Sequence, residues 1–254
     1  MWSVGDSNHK LGRSMSIVTE EKSDCLVTPR RFEWVVQGKS FGPDPACDHD
    51  LWSHSRAAVV PSLGAIVPYW YLVVPRVHAL SFRQLQQGLR RELLQLARGI
   101  GSRFAERLIP VYFEHGGATT GSSVSCGTDQ AHLHLVMLNY HLIDKVLAQN
   151  GGDRWIDADA SDPWANIPGE RDYYLVASDE RAIWSTPSSP ASQFFRRLIA
   201  EVAGVPDRWN YREWPHTDNV LIGRREFDRL QRDALASELR PARRTLLEVR
   251  PAST

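Results

Sequence analysis

The sequence predicts an α+β fold: an antiparallel sheet with one long helix laid across it, followed by a C-terminal α/β extension. Three observations carry that expectation. Two apolar runs, 56–60 and 65–74, are joined by Pro61-Ser62-Leu63-Gly64 and read as antiparallel neighbours. Leu85, Leu89, Leu93, Leu96, Ile100 and Phe104 recur at helical spacing. Gln130-Ala131-His132-Leu133-His134-Leu135-Val136 alternates with the period of a strand.

Taken in order, residues 31–37 read as a first strand and 38–50 as a loop rich in Gly, Pro and Asp. The two apolar runs follow, closed by Pro75-Arg76-Val77-His78. Ser81 and Gln84 form a capping box that opens the long helix. Residues 110–113 read as a strand, 113–129 as a polar Gly/Ser loop, 129–136 as the histidine strand, and 141–149 as a short helix stopped at Gly151-Gly152. The stretch 153–170 is turn-rich and carries two exposed-looking tryptophans, Trp155 and Trp164. Residues 173–176 and 182–184 flank a turn and read as a hairpin. A helix over 189–204 has Phe195, Leu198, Ile199 and Val202 as its apolar stripe and Gly204 as its stop. An aromatic segment at 209–215 and an amphipathic helix over 224–238 complete the chain, with a polar tail from Arg240. The expected organisation is a loosely ordered N-terminus (1–24), a sheet-and-helix domain (25–150) and an extension packed on it (151–254).

With 254 residues, 42% of them hydrophobic, the chain buries a sizeable core. Zero net charge and no long basic block argue against a general grip on nucleic acid. No run approaches the length of a membrane span, and the N-terminus resembles neither a signal nor a transit peptide, so a cytoplasmic protein is expected. Cys25, Cys47 and Cys126 are odd in number and widely spaced, which signals neither a disulfide framework nor a cysteine zinc site. Cys126 reads as a small loop residue.

The chemistry concentrates around the histidine strand. Alternation puts Gln130, His132 and His134 on one face and Ala131, Leu133 and Leu135 on the other. Two imidazoles held in a row suit nucleophilic attack on phosphorus, or metal binding; an exposed polar face is the plainer alternative. The loop just upstream, running from Glu114-His115-Gly116-Gly117 through Ser123, Ser125 and Gly127, offers backbone N–H groups of the kind that cradle phosphate oxygens. Downstream, Arg196 and Arg197 follow an aromatic pair on a helix. They read as a solvated face or, for Arg196 or Arg197, as a clamp on the phosphates of a larger substrate.

Over residues 25–138 these features resemble the histidine triad superfamily of nucleotide hydrolases and transferases. The resemblance rests on Val59-Val60-Pro61 with the run Val67-Pro68 to Arg76-Val77-His78, on the long helix after Ser81, and on Phe113-Glu114-His115-Gly116 followed by Gln130-Ala131-His132-Leu133-His134-Leu135-Val136. It implies a HIT-like fold in which His132 attacks the α-phosphate and forms a nucleotidyl-histidine intermediate. His134 then polarises the phosphate oxygens, with help from the N–H groups of 123–127. Gln130 replaces the first histidine of the triad; uridylyltransferase-like members carry their glutamine at the third position instead. Glutamine still hydrogen-bonds but is a poor metal ligand, so no metal and no cofactor are expected. Glu114 falls where some relatives have a phosphate-touching glutamine, and a carboxylate there suits phosphate only if protonated, paired or aimed elsewhere. His115 flanks the strand and is a candidate for lining the site. Tyr69 stands where the family usually has glycine, which implies a narrowed or rebuilt pocket.

The resemblance thus implies an enzyme acting on a small-molecule nucleotide: a phosphoanhydride, a phosphoramidate or a nucleotide sugar. A non-catalytic nucleotide-binding or interaction protein on the same scaffold is the alternative, and a metal site on His132 and His134 a third. Neither nucleic acid nor membrane is an expected partner, and a homodimer is compatible with the pattern.

Overall fold

A computed structural model of the chain describes residues 31–44, 47–125, 128–149 and 152–238. The expectations for 1–24, Cys25, Cys126, Gly127 and the tail from Arg240 fall outside the described residues. An α+β fold is present, built on one antiparallel sheet of eight strands: β1 (Trp52–His54), β2 (Ala57–Pro61), β3 (Trp70–Pro75), β4 (Ile109–Gly116), β5 (Leu133–Leu138), β6 (Ile156–Ala158), β7 (Tyr173–Ala177) and β8 (Ala182–Ser185). Their order across the sheet is β1-β2-β3-β5-β4-β7-β8-β6. The ladder runs unbroken from β4 to β7, from Tyr112↔Ala177 to Gly116↔Tyr173. The strands that follow residue 150 therefore extend the same sheet.

Both sheet faces are covered, and alternation sorts the side chains between them. One face carries Tyr71, Tyr112, Leu133, Leu135 and Leu175 under helix α2 (Gln87–Gly101), whose Leu93, Leu94, Ala97 and Ile100 are buried. On the opposite face Trp70, Phe113, Val136 and Tyr174 meet α3 (Leu142–Leu147) and α4 (Phe194–Val202). The short helix α1 (Glu33–Val36) packs Trp34 and Val35 on Ala58, Val60, Leu72 and Val74. A long α5 (Thr217–Glu238) buries Val220 and Phe227 in the two larger clusters. Among the described residues no helix is long and apolar enough to cross a membrane.

Several expected elements are redrawn. Residues 31–37 hold the short helix α1 between turns, not a strand: Phe32, Trp34 and Val35 are buried while Glu33 is exposed, a helical spacing fixed by packing on the sheet despite two adjacent valines. The long helix starts at Gln87 after a 3-10 turn at Phe82–Gln84, and ends before Phe104. Ser81 makes no capping bond, while the Gln84 side chain accepts from the Leu80 N–H. Within the second apolar run only Trp70–Pro75 is strand. β4 continues through Glu114, His115 and Gly116, which were expected in the loop. Trp164 is 1% exposed, because its indole bonds a buried carboxylate. Helix α4 begins only at Phe194, Val202 at its end is exposed, and α5 starts earlier than expected, at Thr217.

Candidate active site

His132 lies just before β5 and His134 within it, where His134 is in register with Leu72 on β3 and Phe113 on β4. Both rings belong to the face shared by α1 and α4, and their centroids are 5.0 Å apart. His134 stacks flat on Phe113 at 4.4 Å. Burial, the largest cause, keeps both imidazoles below their usual pKa; Arg196 adds to it at each, and Arg31 at His132. Both rings are neutral at physiological pH.

Their hydrogen bonds fix which nitrogen carries the proton. His132 Nδ1 sits 2.8 Å from the Gln130 carbonyl oxygen. A carbonyl only accepts, so Nδ1 bears the hydrogen and Nε2 keeps a lone pair. His134 is the reverse. Trp70 donates its indole N–H to His134 Nδ1 at 3.0 Å, which leaves the proton on Nε2. That Nε2 is buried and has no hydrogen-bond partner among the described residues. A lone pair and a bare N–H thus stand on adjacent rings.

Both rings line a cavity of about 40 Å³, together with Arg31, Phe32, Thr128 and Arg196. By the space one water needs, this volume holds roughly three waters, or a single phosphoryl group. Arg196 is 2% exposed; its guanidinium lies over the Trp70 ring at 4.7 Å and donates to the Gly64 carbonyl and, at 3.4 Å, to the Ser62 hydroxyl. Arg31 pairs with Asp48 at 2.7 Å. The Arg196 guanidinium therefore favours an anion at the cavity, while the charge of Arg31 beside it is balanced by Asp48. A wider groove of about 600 Å³ shares Phe32 with it and runs along Glu33, His78, Asp129 and Gln130.

Of the residues singled out from the sequence, His132, His134 and Arg196 come together at this cavity. Gln130 serves another purpose: its amide donates to the Pro75 and Val77 carbonyls at 3.1 and 3.0 Å and accepts from His78 Nδ1 at 3.0 Å. It bolts the end of β3 to the histidine segment, and its carbonyl holds His132. Glu114 faces the α2 side of the sheet, where it accepts from Phe82 N and Trp164 Nε1, both at 2.7 Å, and from the Tyr173 hydroxyl. Burial lifts its pKa to about 7 against those bonds, and no substrate reaches it from the histidine face. His115 lies behind His134, 6.0 Å between centroids, and does not line the cavity. Ser123 is exposed and Ser125 donates to the Ser122 carbonyl; neither borders the cavity.

The expected cradle of loop amides is also largely spent. The N–H groups of Ser122, Ser125 and Thr128 bond carbonyls within the loop, Ala118 bonds Asp172, and Gly121 bonds Asp129. Tyr69 adopts φ +62 and turns its ring to Phe104 on the other face, so it does not narrow the cavity. Arg31, Phe32 and Trp70 were not singled out; an arginine beside an aromatic at 31–32 was the available signal. No group of three or more metal-ligating side chains occurs among the described residues. The chain matches no protein-family model and no curated protein sequence.

Proposed function

We propose that the chain is an enzyme of histidine-triad type that transfers or hydrolyses a nucleotidyl group, with His132 as nucleophile. One observation carries the proposal: His132 Nε2 holds a lone pair at a small, guanidinium-lined cavity beside the unpartnered Nε2–H of His134. The hairpin of β2 and β3, the covering α2 and the β4–β5 pair agree with a HIT-like domain. So does Tyr69, whose left-handed backbone is the conformation that glycine, usual there in the family, adopts without strain.

In this mechanism His132 Nε2 attacks the α-phosphorus. An N–P bond forms, the P–O or P–N bond to the leaving group breaks, and its electron pair departs with that group. The Gln130 carbonyl steadies the Nδ1–H as the ring becomes cationic. His134 Nε2–H and Arg196 bind the non-bridging oxygens as charge grows on them, and a positioned donor of this kind is worth about 3 kcal/mol. Water or an acceptor then breaks the N–P bond. The small cavity fits the phosphoryl group itself, and the wider groove along Phe32 and Gln130 takes a larger portion of the substrate.

The test is a panel of dinucleoside polyphosphates, nucleoside phosphoramidates and nucleotide sugars, with mass spectrometry for an acid-labile adduct at His132. Turnover that vanishes in His132→Ala, with the adduct in the native chain, supports the reading. Full activity in that variant ends it. Binding with neither turnover nor adduct would favour a non-catalytic nucleotide-binding protein.

A further inference from the structure

Helix α4 starts without a local cap. Its N-cap residue, Gln193, has φ +58 and makes no side-chain capping bond. The first turn of any helix presents backbone N–H groups that need acceptors. Here the N–H of Phe195 finds one eighty residues away in sequence: it donates to His115 Nε2 at 3.2 Å. The next residue along the helix is Arg196, which reaches the His132 cavity. His115 is wedged between Phe113, Phe195 and Tyr174, at centroid separations of 5.6, 5.0 and 5.8 Å, so its ring has little freedom. Tyr174 tightens the same approach, its hydroxyl bonding both the N–H and the carbonyl of Ala191.

We infer that His115 is a positioning residue, a remote cap on α4 that sets where Arg196 delivers its guanidinium to the phosphoryl group. This rests on the reading of the His132 cavity as a phosphoryl site. A cap must accept, so Nε2 has to stay unprotonated. Burial, first, and then the neighbouring His132 and Arg196 hold the ring's pKa near 3, far below the physiological range. Protonation or loss of the acceptor frees the first turn of α4, and Arg196 loses its registration against Ser62 and Gly64. His115 therefore acts through Arg196 and touches no substrate.

Two substitutions separate this role from simple packing. His115→Phe keeps the aromatic volume and removes the acceptor, whereas His115→Gln sets an amide oxygen near the former Nε2. Inorganic phosphate serves as the probe, titrated by calorimetry into the native chain, both variants, Arg196→Gln and the double variant His115→Phe/Arg196→Gln, each checked for folding by its denaturation midpoint. Phosphate Kd is expected to rise about tenfold in His115→Phe. The double variant should bind no more weakly than the worse single one, and His115→Gln should recover most of the affinity. Native affinity in His115→Phe, multiplying effects in the double variant, or a His115→Gln as weak as His115→Phe would each overturn the cap. If His115→Phe does not fold, the comparison of His115→Gln with the native chain decides: affinity lost in a folded His115→Gln overturns it, and affinity kept sustains it. A native chain that binds no phosphate at all overturns the phosphoryl reading of the cavity and this inference with it, a result separable from the others.

Discussion

Trp70 and His134 are joined by a hydrogen bond that runs from indole to imidazole across 3.0 Å, on neighbouring strands of the sheet. Since indole cannot accept, this contact decides the tautomer of His134 and frees an N–H for an incoming oxygen. Trp70→Phe keeps the ring but loses the donor, so His134 is free to carry its proton on Nδ1 instead. We expect kcat of the proposed reaction to fall by about tenfold to a hundredfold, the scale of one misdirected oxyanion donor. Steady-state kinetics beside a urea melt checks this; unchanged kcat in a folded variant would disconnect Trp70 from the chemistry.

Gln130 is predicted to matter for stability more than for chemistry. Its amide makes three hydrogen bonds that tie Pro75, Val77 and His78 to the histidine segment. Gln130→Ala should cost about 2–3 kcal/mol in chemical denaturation, counting about 1 kcal/mol for each bond. Gln130→His should also destabilise, because an imidazole cannot make all three contacts. A Gln130→His variant more stable than the native chain would refute the bolt.

Glu114 gives the protein a pH dependence of unusual sign. Its folded pKa is raised from 4.5 to about 7, mainly by burial. Between those values the folded state holds a proton that the unfolded chain has released, so stability falls as pH rises through this window and levels off above it. The loss attributable to this one group is at most about 3 kcal/mol. Urea titrations of the native chain and Glu114→Gln from pH 4.5 to 8 should differ in slope over this range. Parallel curves would mean that the carboxyl is already ionised in the fold.

The buried imidazoles act the other way. His115, His132 and His134 all have folded pKa values below 6.5, with burial as the first cause. Below pH 6.5 the unfolded chain takes up protons that the fold refuses, so their contribution is intact above that pH and is lost progressively as it falls. Each ring still neutral in the fold supplies a slope of about 1.4 kcal/mol per pH unit. Histidine NMR signals from pH 7.5 to 5.5 should include rings that do not titrate. A His132 signal moving with a midpoint near 6.5 would contradict its burial.

Much of the core was legible from spacing alone. The β2–β3 hairpin, the α2 stripe and the facing of His132 and His134 follow from periods that burial on this sheet enforces. What spacing could not convey was the partner across the sheet. Glu114 and His115 are adjacent in sequence, and a strand sends adjacent side chains to opposite faces, one under Trp164 and one under α4. Arg31 hid in the same way, in a segment whose helical form depends on packing against Leu72 and Val74. The loop amides misled because polar composition does not reveal that Asp129 and Asp172 already occupy two of them and loop carbonyls others.

The ladder between β4 and β7 also bears on how the molecule can be cut. A fragment stopping near residue 150 would leave β4, the strand carrying His115, with an uncovered hydrogen-bonding margin from Tyr112 to Gly116. Such a margin invites pairing with other copies and precipitation. The same truncation would strip Arg196 from the cavity, so the half that carries His132 and His134 is not a portable module.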